Sequence, residues 1–352
     1  MLGVFPGEGV GPEVVRAALA VLDAVRAAVG LEVEIVEGGV IGHESESAFG
    51  QPLSEPAVAL CEAVFARGGA ILHGPGGGRF VYDLRRRFDL FCKLVPLRAH
   101  RALVAQSRLK PEHVDGVDIV LVRDNAGGIY QGTWDERTTD EGRFASHTFG
   151  YAERDVRAIV AVAVRIAAAR RGELLVVVKE GGVPTVSRLW RDVAEDEARA
   201  AGIRVRTVNV DLAAYQLIQS PRSLDVVAAP NLIGDVLADL GAVIEGGRGV
   251  SCSGNFTPSG LGVYQTNHGA AYDLAGSDRA NPVGQILSLA MLLRESFGRG
   301  DAARLIETAV EWAWRRGALT DDLARVDRPA VGCVEMGARV AAAVADVAAA
   351  SA

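Results

Sequence analysis

Residues 224–240, LDVVAAPNLIGDVLADL, hold the pattern that most narrows the folds open to this chain. An apolar run of strand character stops at a Pro-Asn break, and an amphipathic helical stretch follows at once. The succession recurs. Strand-like runs in LEVEIVEGG, AILHG, VDIVLVRD, ELLVVVKEGG and IRVRTVNV alternate with helical stretches in EVVRAALAVLDAV, PAVALCEAVFARGG, ERDVRAIVAVAVRIAAARRG and VSRLWRDVAEDEARAAG. Such alternation predicts an α/β fold. The glycine-rich stretch 246–282, GGRGVSCSGNFTPSGLGVYQTNHGAAYDLAGSDRANP, reads as loop-rich, with no strand singled out in it. No linker or internal repeat divides the chain, so a second domain is expected as an insertion.

With 352 residues the chain can bury a large core, and 49% hydrophobic with 23% charged residues describes a soluble globular protein. A net charge of -7 argues against nucleic acid as a partner, because phosphate binding favours a basic surface. Cys61, Cys92, Cys252 and Cys333 are scattered without a CxxC pair, so they are expected as free thiols in the cytoplasm. No leader-like apolar segment opens the chain, and its apolar runs are too short or too interrupted to span a bilayer, so no membrane association is expected.

Two features carry chemistry on their own. Asp235 and Asp239, four residues apart on a helix, project from one face and can hold one small cation. Taken alone, they read more readily as two acids in water. The first loop, GEGVGPEV, follows a strand at 2–5 and opens a helix, but its glycines at 7, 9 and 11 do not form GxGxxG, so a Rossmann cofactor site is not expected. In the run Arg85, Arg86, Arg87, the last two are expected to face solvent.

GEGVGPEV, VRDNAGGIY, VVVKEGG, NVDLAAY, NLIGDVLADL and NHGAAYDLAGSDRANP occur in the order and approximate spacing of the isocitrate and isopropylmalate dehydrogenase family, and the chain resembles that family over nearly its whole length. The resemblance implies an isopropylmalate dehydrogenase-like two-domain fold with a non-Rossmann cofactor site. Residues 1–90 plus 247–352 would form the larger, discontinuous, cofactor-binding domain, and 91–246 the smaller domain with the dimer interface. The implied reaction is NAD-linked oxidative decarboxylation of a 2-hydroxy acid bearing a carboxylate at C3.

By the same resemblance, Asp211, Asp235 and Asp239 would hold Mg²⁺ or Mn²⁺, hard cations suited to oxygen ligands. Lys179 would act as base on the hydroxyl and Tyr130 as the acid that reprotonates the enol. Lys179 and Asp211 would come from the partner subunit of a homodimer. Arg85 and Arg123 would bind substrate carboxylate. His268, Gly269, Ala270 and Ala271 resemble the adenosine-binding loop, with Asn281 near the adenine. Asp273 would hold the ribose and repel a 2′-phosphate, which predicts NAD.

The chain departs from the family at Val95, where an arginine is expected, and at Glu8, Gly181 and Gln265. Losing that guanidinium removes a charge-assisted contact of about 1.5 to 3 kcal/mol. Arg79, in the loop that reads the C3 substituent, is expected to restore positive charge. The reading is therefore a non-standard 3-substituted malate with a polar or anionic substituent. Alternatives are 3-isopropylmalate, as in leucine biosynthesis, and a catalytically silent regulatory subunit. Retention of Tyr130, Lys179, Asp211, Asp235 and Asp239 speaks against the silent subunit.

Overall fold

Short apolar runs, many of them rich in Val, Ile and Leu, form the strands of this chain, whose computed structural model describes residues 1–324 and 329–351. In order they are β1 (Leu2–Phe5), β2 (Ile35–Glu37), β3 (Ala70–His73), β4 (Cys92–Arg98), β5 (Asp118–Asp124), β6 (Thr133–Thr139), β7 (Gly142–Thr148), β8 (Glu173–Val178), β9 (Arg204–Asn209), β10 (Val226–Ala229), β11 (Cys252–Phe256) and β12 (Gly262–Thr266). Ten of them make one sheet in the order β2-β1-β3-β12-β11-β4-β5-β10-β8-β9. Its two flanks are parallel, β2-β1-β3-β12 and β5-β10-β8-β9. Antiparallel pairing through β11 and β4 joins them.

Helices cover both faces of each flank, as buried parallel strands require. Beside β1 and β3, Gly11–Val29, Val283–Glu295, Gly300–Arg315 and Cys333–Ser351 enclose the largest core. The opposite face is closed by Glu55–Ala66 and Phe80–Arg87. Around β10, Glu153–Ala168 and Pro184–Ala201 pack on one side, with Trp190 fully enclosed. Val210–Gln219 and Asn231–Glu245 pack on the other. Local signals set the helix ends. Ser54 caps Glu55–Ala66 by accepting from the Ala57 amide, and Gly11–Val29 stops at Gly30 in the left-handed region.

Three departures from the sequence reading stand out. Stretch 246–282 is not all loop, because it contains β11 and β12, where small and polar residues pair at the centre of the sheet. Ser253 donates to the Gln265 carbonyl and Asn255 to that of Val263, so the polar side chains are satisfied inside the ladder. LEVEIVEGG contributes only Ile35–Glu37. The hairpin of β6 and β7 had no counterpart in the apolar pattern, and it is exposed almost throughout. Among the described residues no helix is long and apolar enough to cross a membrane.

The parallel strands β5, β10, β8 and β9 all point one way, so their C-terminal ends line one edge of the sheet. That edge is where open α/β sheets bind ligands. Arg123 lies near the end of β5, Lys179 follows β8, Asp211 follows β9, and Asp235 sits in the helix after β10.

Candidate active site

The segment DNAGGIY folds as it does because Asp124, itself buried, accepts from the amides of Ala126 and Gly127 and from the Tyr151 hydroxyl. Gly128 completes the turn at φ 71°, where an added Cβ would lie 2.2 Å from the Tyr151 hydroxyl oxygen. The turn delivers Tyr130 to Asp235. Its hydroxyl donates to Asp235 Oδ2 at 2.9 Å, while Arg123 Nη1 pairs with Oδ1. Arg123 is 1% exposed and also donates to Asn231 Oδ1, at 3.2 Å from Nε and 2.8 Å from Nη2. Asn231 in turn donates to the Gly127 carbonyl, so turn, strand and helix lock together.

Charge follows from this geometry. Burial raises the Asp235 pKa, but Arg123, the Tyr130 hydroxyl, Lys93 and Arg85 outweigh it and hold the acid below its ordinary value. Burial, reinforced by Asp235, pushes Tyr130 well above a normal phenol, so it keeps its proton at neutral pH.

Lys179 Nζ and Asp211 Oδ1 lie 2.9 Å apart, both exposed, and hold each other rather than reaching Asp235. Asp239 pairs with Arg248 at 3.1 Å. Among the described residues Asp211, Asp235 and Asp239 do not gather into one ligand group within this chain. Asp235 and Asp239 nonetheless fit a hard divalent cation. They share a helix face, supply only oxygen, and each carboxylate oxygen keeps lone-pair capacity beyond its present partner.

Of the three consecutive arginines, the two expected to face solvent do so. Arg85 is buried, whereas Arg86 and Arg87 face solvent. Arg79 stacks its guanidinium on Tyr82 and Trp134, 5.2 and 5.1 Å from the ring centroids. A further cation, Lys93, lies buried beside Arg85 and Arg123 and was missed because CKLVPLR had not been read as a strand. Alternation along β4 was the signal that could have found it.

The two glycine-bearing loops meet. The Val10 amide donates to the Ala270 carbonyl at 2.8 Å, and Ala271 is held in the left-handed region at φ 42°. Space is open above Gly269, Asp273 is exposed, and His268 donates from Nδ1 to the Gly269 carbonyl. A nucleotide can lie on such a surface. Asn281 has a structural task, accepting from the Val283 amide and donating to Asp322. Glu8 accepts from the Glu44 and Gly77 amides and from the Tyr272 hydroxyl, tying the first loop to the third. Gly9→Ala is expected to cost about 1–3 kcal/mol, read as a lowered denaturation midpoint. Gly9 has φ 59°, and a Cβ there would stand 2.0 Å from the Ala270 carbonyl oxygen. An unchanged midpoint would show that the two loops are not locked.

A family model described as isocitrate/isopropylmalate dehydrogenase matches residues 1–340. The chain is 38% identical to a 3-isopropylmalate dehydrogenase of Synechococcus sp. (strain JA-3-3Ab), over 96% of this chain and 92% of that protein. It is 37% identical to a 3-isopropylmalate dehydrogenase of Bacillus subtilis (strain 168), over 92% of each. Among solved structures, isocitrate dehydrogenase from Methylococcus capsulatus superposes with a TM-score of 0.87 at 27% identity, covering 98% of this chain and 99% of that one. Sequence and fold therefore agree that the chain belongs to the isocitrate/isopropylmalate dehydrogenase family, as an NAD-linked, Mg²⁺- or Mn²⁺-dependent decarboxylating dehydrogenase.

Proposed function

We propose that the chain oxidises and decarboxylates a 3-substituted malate, with 3-isopropylmalate, the substrate in the names of its relatives, as the first candidate. The observation that carries this reading is the Arg123–Asp235–Tyr130 constellation, in which a buried cation, an ionised acid and a protonated phenol converge. When bound, the divalent cation supplies charge neutralisation at the substrate's C2 oxygen, and NAD supplies the hydride acceptor. Asp235 and Asp239 hold that cation, and Asp211 completes its ligand set from the partner subunit. Lys179 Nζ takes the hydroxyl proton. Arg85 and Arg123 hold the C3 carboxylate until its bond to C3 breaks and carbon dioxide leaves. Tyr130 Oη then returns a proton to C3, leaving a 2-oxo acid. The proton taken and the proton returned balance.

A homodimer with shared sites suits this reading. Lys179 and Asp211 are exposed at the sheet edge, away from Asp235. Leu212 and Tyr215 on one helix, and Leu232 and Val236 on the next, expose apolar side chains that a second copy would cover. We assign residues 1–90 with 247–352 to the larger, nucleotide-binding lobe, where His268 to Ala271, Asp273 and Asn281 lie. Residues 91–246 form the smaller, dimerising lobe. The cysteines, all buried and free, suit a reducing compartment.

Arg79 favours a second reading, a malate whose C3 group is polar or anionic. Its side chain is 45% exposed, and its guanidinium lies over Tyr82 and Trp134 with Asp83 at 3.9 Å on one edge. The test is the purified chain with NAD, Mn²⁺ and malates differing only at C3. NADH from 3-isopropylmalate supports the first reading, preference for a carboxylated substituent supports the second, and NADH from none overturns both.

A further inference from the structure

The family pattern places an arginine at position 95, yet Val95 is fully buried in an apolar core. Lys93 precedes it by two positions on the same strand, so alternation puts both on one sheet face. Antiparallel register sets Lys93 opposite Arg123 and Val95 opposite Leu121. The positive charge missing from position 95 thus reappears one step along the same face, directly beside a substrate-side arginine.

The surroundings of Lys93 call for an anion. It is 4% exposed, and among the described residues its ammonium has no hydrogen bond or ion pair. Arg85, 5% exposed, is equally without a hydrogen-bonded or ion-paired acid. The groups around Lys93 are Arg85 and Arg123, the acids Asp235 and Asp239, and the buried imidazole of His73. Asp235 is already engaged by Arg123 and Tyr130, and Asp239 by Arg248. Burial holds His73 at about 4, so it adds no charge at neutral pH. Burial, and after it the Arg123 and Arg85 charges, push the Lys93 pKa well below its ordinary value. This amine, with no hydrogen bond or ion pair among the described residues, therefore gains most from an anion that enters beside it and holds its proton in place.

We infer that Lys93 is a substrate-binding residue that takes the place of the absent arginine, and that the C3 carboxylate of the malate sits among Lys93, Arg85 and Arg123. This rests on the reading of the cleft as a 3-substituted malate site. Unlike a guanidinium fork, an ammonium is a point charge and does not fix the plane of a carboxylate. Lys93 therefore supplies attraction, while Arg85 and Arg123 set orientation. The outer loop is left to read the C3 substituent, and Arg79 need not stand in for position 95.

The test uses the full-length enzyme with Mn²⁺, NAD and 3-isopropylmalate. Lys93→Met removes the charge while keeping the bulk of the side chain. It is expected to raise KM for the malate about 10- to 100-fold with KM for NAD unchanged. Its thermal midpoint without substrate should be equal to or above that of the wild type, since a buried amine without a hydrogen-bond partner is gone. Lys93→Gln provides a second neutral variant should the first not fold. An unchanged KM for the malate in either variant overturns the inference, as does lost stability with full substrate affinity. Calorimetric titration of 3-isopropylmalate into Mn²⁺-loaded enzyme without NAD separates binding from reaction. Lys93-dependent binding without NADH production by the wild type sinks the proposed function and keeps the binding role. Wild-type turnover with a Lys93→Met variant of equal affinity sinks the binding role alone.

Discussion

Asp235→Asn is expected to lower kcat about 10³-fold or more at saturating malate, NAD and Mn²⁺. The amide keeps the size and polarity of the side chain, so what is lost is charge. Asp235 is the one acid that meets both the buried Arg123 and the Tyr130 hydroxyl, and it is assigned a cation ligand as well. Arg123 would lose its counter-charge in a site that already contains Arg85 and Lys93. Because the Asp235 side chain is 41% exposed, solvent screens part of that loss, and stability should fall by only about 1–2 kcal/mol. The sign with pH follows. Asp235 has a lowered pKa, so its stabilisation is complete above the unfolded value near 3.8 and disappears as pH falls through the folded one. Turnover within tenfold of wild type would remove Asp235 from the proposed chemistry.

Lys179→Ala should abolish measurable NADH formation, a loss of about 10²- to 10⁴-fold for a missing proton acceptor. Its sharper use is in mixing. If Lys179 and Asp211 serve the partner's Tyr130 and Asp235, a heterodimer of Lys179→Ala and Asp235→Asn chains contains one site with both lesions and one with neither. Random reassembly of equal amounts of two inactive homodimers should then recover about one-quarter of wild-type activity. Sites built within single chains would recover none. The outcome separates a shared site from a cis site without any structure of the complex.

The fold was readable wherever one physical demand dominated a segment. Buried parallel strands such as β8 and β10 must be apolar on both faces, so VVV and VVAA announce themselves. The helix bearing Asp235 and Asp239 was equally clear, because its apolar face is continuous while its acids break the opposite one. The strands β11 and β12 escaped because their buried polar groups satisfy one another across the ladder, leaving a composition that resembles loop. In β4, Pro96 and Lys93 disguise a strand whose neighbours on both sides supply the burial. At the site, the solvent-facing Arg86 and Arg87 were legible, whereas Lys93, in register with Arg123, was not. What was not legible was which side chains are already engaged. Asn281 braces the start of a helix through the Val283 amide and Asp322, and Tyr272 is committed to Glu8 by a bond spanning most of the chain.

If a second copy covers the hairpin of β6 and β7, as proposed, this enzyme's activity depends on its concentration. A lone pair of strands in water is marginal, and here Trp134 and Phe144 remain 60% and 45% exposed although Arg79 and Arg137 lie over their rings. The proposed cover is another copy of the chain, which would steady the hairpin. By mass action, dilution then acts as a slow inhibitor: specific activity should decay as the protein is diluted below the dissociation constant of the proposed dimer, and substrate that bridges two subunits should delay the decay.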